Sequence, residues 1–231
     1  MNQMADISGM MTTAQAAMAL GVGVHNVGRL VREGELSCMR TAGGAMLIPA
    51  AEVRGYAQLR QGRGRPLAPA TAMAALWELS GLSADWLDYA QARRLRMRLA
   101  SVSAEDLAWQ VRKRAQASPF RCDASFLETA AGMVARSGRS RLDEFGLVGG
   151  SGFLEGYVCA EGLDAVVNAC FMAPDPAGNV VLHVAGWMPE GVGAAMPSAV
   201  CAADLAASLD TRERRAGLSA LEEMLDDYPR A

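Results

Sequence analysis

Histidine and lysine are scarce in this chain: His25 and His183 are its two histidines, and Lys113 is the single lysine among 22 basic residues. Two histidines starve any zinc centre built on imidazole. The five cysteines (Cys38, Cys122, Cys159, Cys170, Cys201) are an odd, scattered set with no C-x-x-C pair. They predict reduced, mostly buried thiols in a cytoplasmic protein and exclude a disulfide scaffold. No run of about 18 apolar residues occurs, so no membrane-spanning helix is expected. The opening "MNQMADISGMMTTAQ" lacks the basic stretch and apolar core of a secretory signal. Signatures of catalysis are missing too. There is no Walker loop, no G-x-G-x-x-G after a strand and no G-x-S-x-G elbow. "LVGGSGFLEG" could open a nucleotidyltransferase site, but that chemistry needs two carboxylates one residue apart on a strand to hold Mg²⁺. Downstream, Asp164 stands in "LDAVV" with no second acid. A turn is expected there, and neither catalytic residues, a metal nor a cofactor.

What is present is an ordinary globular composition, 51% hydrophobic and 20% charged over 231 residues, with an uneven charge. Residues 1–121 hold 15 basic against 9 acidic residues, a balance of +6. Residues 122–231 hold 7 against 16, a balance of −9, and the whole chain stands at −3. A basic front and an acidic back predict an anionic partner at one end and a different role at the other.

The segment "MTTAQAAMALGVGVHNVGRLVREGEL" reads as two helices around a tight turn. Thr12 or Thr13 can cap the first helix, with Ala16, Ala17 and Leu20 on one stripe. Gly21 ends it, since glycine takes the left-handed position without steric cost. The second helix starts near Val24, with Val27, Leu30 and Val31 inward and His25, Asn26, Arg29 and Arg32 outward. "LSCMR", a "TAGG" turn and "AMLIP" predict a two-stranded hairpin. Pro49 then begins a third helix, closed on the core by Val53, Tyr56 and Leu59.

This order resembles the MerR-like, excisionase-type winged helix-turn-helix family. The resemblance rests on Thr12-Thr13, Leu20-Gly21-Val22, Arg32-Glu33-Gly34-Glu35-Leu36, Gly43-Gly44 and Ile48-Pro49. It spans residues 11–60 and implies a second helix in the major groove and a wing beside the phosphates. The chain departs from the family where Ser, Arg and Thr usually open the second helix: here stand Gly23, Val24, His25, Asn26 and Gly28. Ala45, Met46 and Leu47 replace the wing's usual Arg and Trp. Base readout needs donors and acceptors that reach base edges, which leaves His25, Asn26 and Arg29. Thr13 joins the implied DNA-binding set, and Arg32 and Arg40 would hold phosphates.

Residues 61–69 form a basic Gly/Pro stretch whose core, Arg63-Gly64-Arg65-Pro66, resembles an AT-hook. A narrow A·T minor groove attracts arginine, and arms beside helix-turn-helix modules enter that groove. The stretch therefore reads as a linker and a DNA-contacting arm at once, with Arg63 and Arg65 as its contacts.

Residues 70–231 predict a helical and then α/β body for oligomerisation or partner binding, making the chain α+β and mainly helical. "SADWLDYAQARRLRMRLAS" and "SAEDLAWQVRKRAQ" read as helices. Arg93, Arg94, Arg96 and Arg98 crowd the first, where they either pair with the acidic half, face solvent or reach phosphates. "LEGYVCAEGLDAVVNACFM" and "PSAVCAADLAASLD" read as strand then helix, "GNVVLHVAGW" as a strand holding a hydrogen-bonded core His183, and "TRERRAGLSALEEMLDDY" as a closing helix.

The whole arrangement is similar to actinobacterial-type DNA-binding proteins associated with abortive-infection nucleotidyltransferase toxins, which implies an antitoxin that represses its own promoter. The expectation is a non-catalytic, dimeric, sequence-specific repressor bound to double-stranded DNA. Two alternatives are an antitoxin whose acidic body neutralises a toxin, and a protein-contact module with a vestigial helix-turn-helix.

Overall fold

The computed structural model describes residues 9–60 and 64–229. The chain divides into two compact units after Arg60.

The first unit runs β1 (Met10–Thr12), α1 (Thr13–Leu20), α2 (Val24–Arg32), β2 (Met39–Arg40), β3 (Met46–Pro49) and α3 (Ala50–Leu59). Thr12 caps α1 in a capping box. Its hydroxyl accepts from the Gln15 amide at 3.2 Å, while Gln15 Oε1 accepts from the Thr12 amide at 2.8 Å. Two amides that no helical carbonyl reaches are thereby satisfied. Gly21, at φ +61°, closes the helix in the left-handed conformation. Ala16, Ala17 and Leu20 of α1, Val27 and Leu30 of α2, Leu36, Ile48 and Val53 form the core. Each larger aliphatic contributes about 1.5–3 kcal/mol by burial.

The sheet has three strands in the order β1-β3-β2, all antiparallel. The sequence pattern predicts only a two-stranded hairpin here. The third strand is the "MMT" that leads into α1, with Met11 opposite Ile48. Three residues carry no legible alternation, so only the pairing reveals it.

The second unit runs α4 (Pro69–Leu79), α5 (Tyr89–Leu99), α6 (Ala104–Gln110), β4 (Gln116–Arg121), α7 (Leu127–Ala131), β5 (Ala135–Arg136), β6 (Leu154–Cys159), α8 (Leu163–Ala169), β7 (Ala173–Pro174), β8 (Val180–Ala185), α9 (Ser198–Ala206) and α10 (Thr211–Asp226). Its sheet order is β5-β6-β8-β4-β7, with β6 and β8 parallel and the other pairs antiparallel. Successive strand residues point to opposite faces. Leu154, Val158, Val180, Leu182 and Phe120 pack with Ala130 of α7 and Val166 of α8. The other face carries Glu155, Tyr157 and His183, which meet Asp204 of α9. The layers are thus helix, sheet, helix.

Several elements differ from the sequence reading. Helix α5 begins at Tyr89, six residues after the expected start, because Asp88 caps it in a second capping box with Gln91. Helix α6 stops at Gln110 and "QASPFR" becomes β4. The strand expected at the start of "PSAVCAADLAASLD" is absent: among the described residues, only a single bridge between Arg136 and Ala195 stands just before α9. Three of the five cysteines are buried, whereas Cys38 and Cys159 are exposed.

Candidate nucleic-acid interface

Helix α2 is sorted cleanly into two faces. Val27 and Leu30 are buried, and His25, Asn26, Arg29 and Arg32 are exposed. His25, Arg29 and Arg32 stand at i, i+4 and i+7, a single ridge on a 3.6-residue helix, with Asn26 on its flank. Arg29 Nη1 donates to Glu33 Oε2 at 2.7 Å. Both side chains are about half exposed (50% and 44%), so the pair is worth only about 0.2–1 kcal/mol and opens readily. Arg32 folds back over Gly28, where an added Cβ would lie 3.5 Å from its Nη1.

Arg40 is exposed on β2, next to a tight turn. Thr41 accepts from the Gly44 amide at 2.8 Å, and its hydroxyl accepts from the Ala45 amide at 3.1 Å. Thr13 is half-buried in the first turn of α1; its neighbour Thr12, and not Thr13, is the cap. Behind this surface the frame is held by polar contacts. The Ser37 amide donates to Glu52 Oε2 at 2.6 Å, and Arg60 Nη1 donates to the Leu20 carbonyl at 2.8 Å, satisfying a helix-end acceptor.

Of the expected arm, Arg63 lies outside the described residues. Arg65 is exposed, and the backbone around it is fastened to the second unit. Trp109 Nε1 donates to the Gly64 carbonyl at 3.0 Å, and the Leu67 amide donates to the Gln110 carbonyl at 2.8 Å. Gly64 sits at φ +103°, and a Cβ there would stand 2.5 Å from Gln110 Nε2. The backbone conformation therefore favours glycine, and any side chain there would also displace the end of the Gln110 side chain. The stretch Gly64–Leu67 is a docked segment with an exposed arginine.

The second unit contains a buried polar cluster that sequence reading found only in part. Arg114 donates through Nε to Tyr157 Oη at 2.7 Å and through Nη2 to Asp204. Tyr157 Oη donates to Asp204 Oδ1 at 2.9 Å, and the Ser137 hydroxyl also donates to Asp204. His183 stacks on Tyr157 at 4.6 Å and its Nε2 lies 2.8 Å from Glu155 Oε1 and 3.7 Å from Asp204 Oδ1. The expected hydrogen-bonded core histidine is what the structure shows. Its partners are scattered over positions 114 to 204, a separation that no local pattern could signal.

Charge decides what this cluster is. One guanidinium and two carboxylates leave a net −1 in a buried place, which a protonated His183 cancels. Burial alone would lower the His183 pKa, but the Asp204 charge and the Glu155 hydrogen bond outweigh it and raise it above the ordinary histidine value. Burial would likewise raise Asp204, but His183, Arg114 and Ser137 together hold it below the usual carboxylate range. Glu155, His183 and Asp204 also lie close enough together, within 4.8 Å, to hold a cation. With Arg114 counted, a divalent ion would leave the cluster at +1, whereas a proton on His183 would leave it neutral. The Asp204 side chain is wholly shielded and Tyr157 nearly so. Next to them, burial pushes the Cys201 thiol up to about 11, far from the reactive thiolate range. The cluster fastens α9 to the sheet.

Residues 10–60 match the family model of a helix-turn-helix domain. The match covers β1 to α3, the whole described first unit apart from Gly9, and less than a quarter of the chain. No curated protein and no solved structure matches the chain. No helix among the described residues is long and apolar enough to cross a membrane.

Proposed function

We propose that the chain is a sequence-specific DNA-binding regulator, a cytoplasmic, non-catalytic repressor acting as a dimer on double-stranded DNA. The observation that carries this reading is the outward ridge of α2, which presents His25, Asn26, Arg29 and Arg32 on a helix whose opposite face is buried. In helix-turn-helix complexes the second helix enters the major groove. Asn26 can pair with adenine through two bonds and Arg29 with guanine, the side-chain pairings that separate bases there. His25 adds one donor or acceptor. Arg32, Arg40 and Thr13 hold the backbone, and the β2–β3 hairpin acts as the wing. Arg65, joined by Arg63, supplies the minor-groove contact, a short reach from a docked segment.

A gel shift of the full chain on the DNA upstream of its own coding sequence tests this. A shifted band that resists excess random duplex is expected. Failure to shift any duplex in dilute buffer would overturn the reading and leave a protein-contact module with a vestigial helix-turn-helix. One observation favours an added role as an antitoxin: Glu222, Glu223, Asp226 and Asp227 are all exposed toward the end of α10. A basic toxin surface would be attracted to such an acidic end, and co-purification of the two products would show it.

A further inference from the structure

Helix α5 reads YAQARRLRMRL, four arginines without an acid. Leu95 and Leu99 are buried against the unit, and the outward ridge is Tyr89, Arg93 and Met97, at i, i+4 and i+8, with Arg94 beside them. Tyr89 is 84% exposed and Met97 62% exposed. Two of the arginines have partners: Arg96 Nε lies 3.4 Å from Glu78, and Arg98 Nη1 donates to Gln110 Oε1 at 3.3 Å. Arg93 and Arg94 are exposed, and neither has an ion pair or hydrogen bond among the described residues. None of the four has an ion pair with an acid of residues 122–231 among the described residues; the partner of Arg96, Glu78, belongs to the basic half.

Like charges at i and i+4, as Arg94 and Arg98 are, destabilise a helix by a few tenths of a kcal/mol. Lysine-free, acid-free and carrying an exposed aromatic ring, this ridge has the chemistry of a surface for a phosphate backbone: fixed guanidinium groups for phosphate oxygens and flat or soft side chains against sugar and base. An acidic protein would satisfy the charge but leaves Tyr89 and Met97 without an assigned role.

We infer that the outward face of α5 is a second DNA-contacting surface, which grips the phosphate backbone without regard to sequence while α2 supplies the base readout. This rests on the DNA-binding reading above, but it fails or stands by a different measurement. Binding of the full chain to a random-sequence duplex and to its upstream DNA is followed by fluorescence anisotropy across a salt series. Each phosphate neutralised contributes about 0.9 to the slope of log K against log salt. The Arg93→Gln/Arg94→Gln variant is expected to lose about 1.8 from that slope on both duplexes, with the ratio of the two affinities unchanged. The Arg93→Lys/Arg94→Lys variant should keep the wild-type slope, which separates lost charge from lost structure. An unchanged slope in the glutamine variant overturns the proposal, as does a loss equal in the glutamine and lysine variants. A changed slope on random duplex with no preference for any sequence would support the α5 surface while sinking the base-reading role of α2.

Discussion

At the residue scale the main question on α2 is what each side chain does before DNA arrives. Glu33 already occupies Arg29 at 2.7 Å, so a contact from Arg29 to a base edge must first break that pair, and Glu33 itself repels phosphate. Glu33→Gln is therefore expected to tighten binding by about two- to five-fold at low salt, the equivalent of an exposed pair worth up to about 1 kcal/mol. Anisotropy titrations of the two proteins decide it. Weaker binding in the variant would mean that Glu33 orients Arg29 and does not hold it back. Asp204 is the opposite case. Replacing it with Asn removes the carboxylate that answers Arg114, and an uncompensated buried charge costs about 3–5 kcal/mol. Urea unfolding should show a loss of that size for Asp204→Asn. A loss under about 1 kcal/mol would contradict the neutral-cluster account.

At the element scale, how much was legible depended on whether a segment's own residues carried the signal. Helices α1, α2 and α3 could be read because their apolar residues recur at helical spacing and because Gly21 and Pro49 mark boundaries. The ridge of α2 followed directly from Val27 and Leu30 facing inward. Strand β1 was missed because its pairing with β3 is a tertiary fact. Strand β4 was missed because "QASPFR" is largely polar and contains proline, and no glycine or proline in residues 111–115 marks the end of the helix before it. For the buried cluster only His183 gave a hint, as a titratable residue inside an apolar run. The rest depends on β6, β8 and α9 meeting in space. Packing of α10 on α9 was equally invisible, and it turns on one residue. A Cβ on Gly217 would press into the backbone at Ala202, Leu205 and Ala206. Alanine is favoured over glycine inside a helix by about 1 kcal/mol, but overpacking costs about 1–3 kcal/mol. Gly217→Ala should therefore lower the melting temperature by a few degrees, and a rise would show that the two helices can move apart at no cost.

At the scale of the whole molecule, the raised pKa of His183 links stability to pH. Because the folded-state pKa of His183 is raised, its contribution is fully present below the unfolded value of about 6.5 and is lost as pH rises through the folded value. Asp204 is lowered, so its contribution is present above the unfolded value of about 3.9 and is lost as pH falls through the folded one. The second unit should be firmest between these limits. His183→Gln should flatten the alkaline side of the profile, as measured by melting temperature against pH. A wild-type profile that is already flat above neutrality would rule out the charged histidine.

The proposed division of labour between the units rests on α2 reading bases, and selection from a random duplex library tests that directly. The wild-type chain is expected to enrich one consensus. Asn26→Ala should enrich the same consensus with one position left undetermined, at a cost of about 1–3 kcal/mol for the lost base contact. If the wild type enriches no consensus, or if Asn26→Ala returns it with every position intact, then α2 does not read DNA.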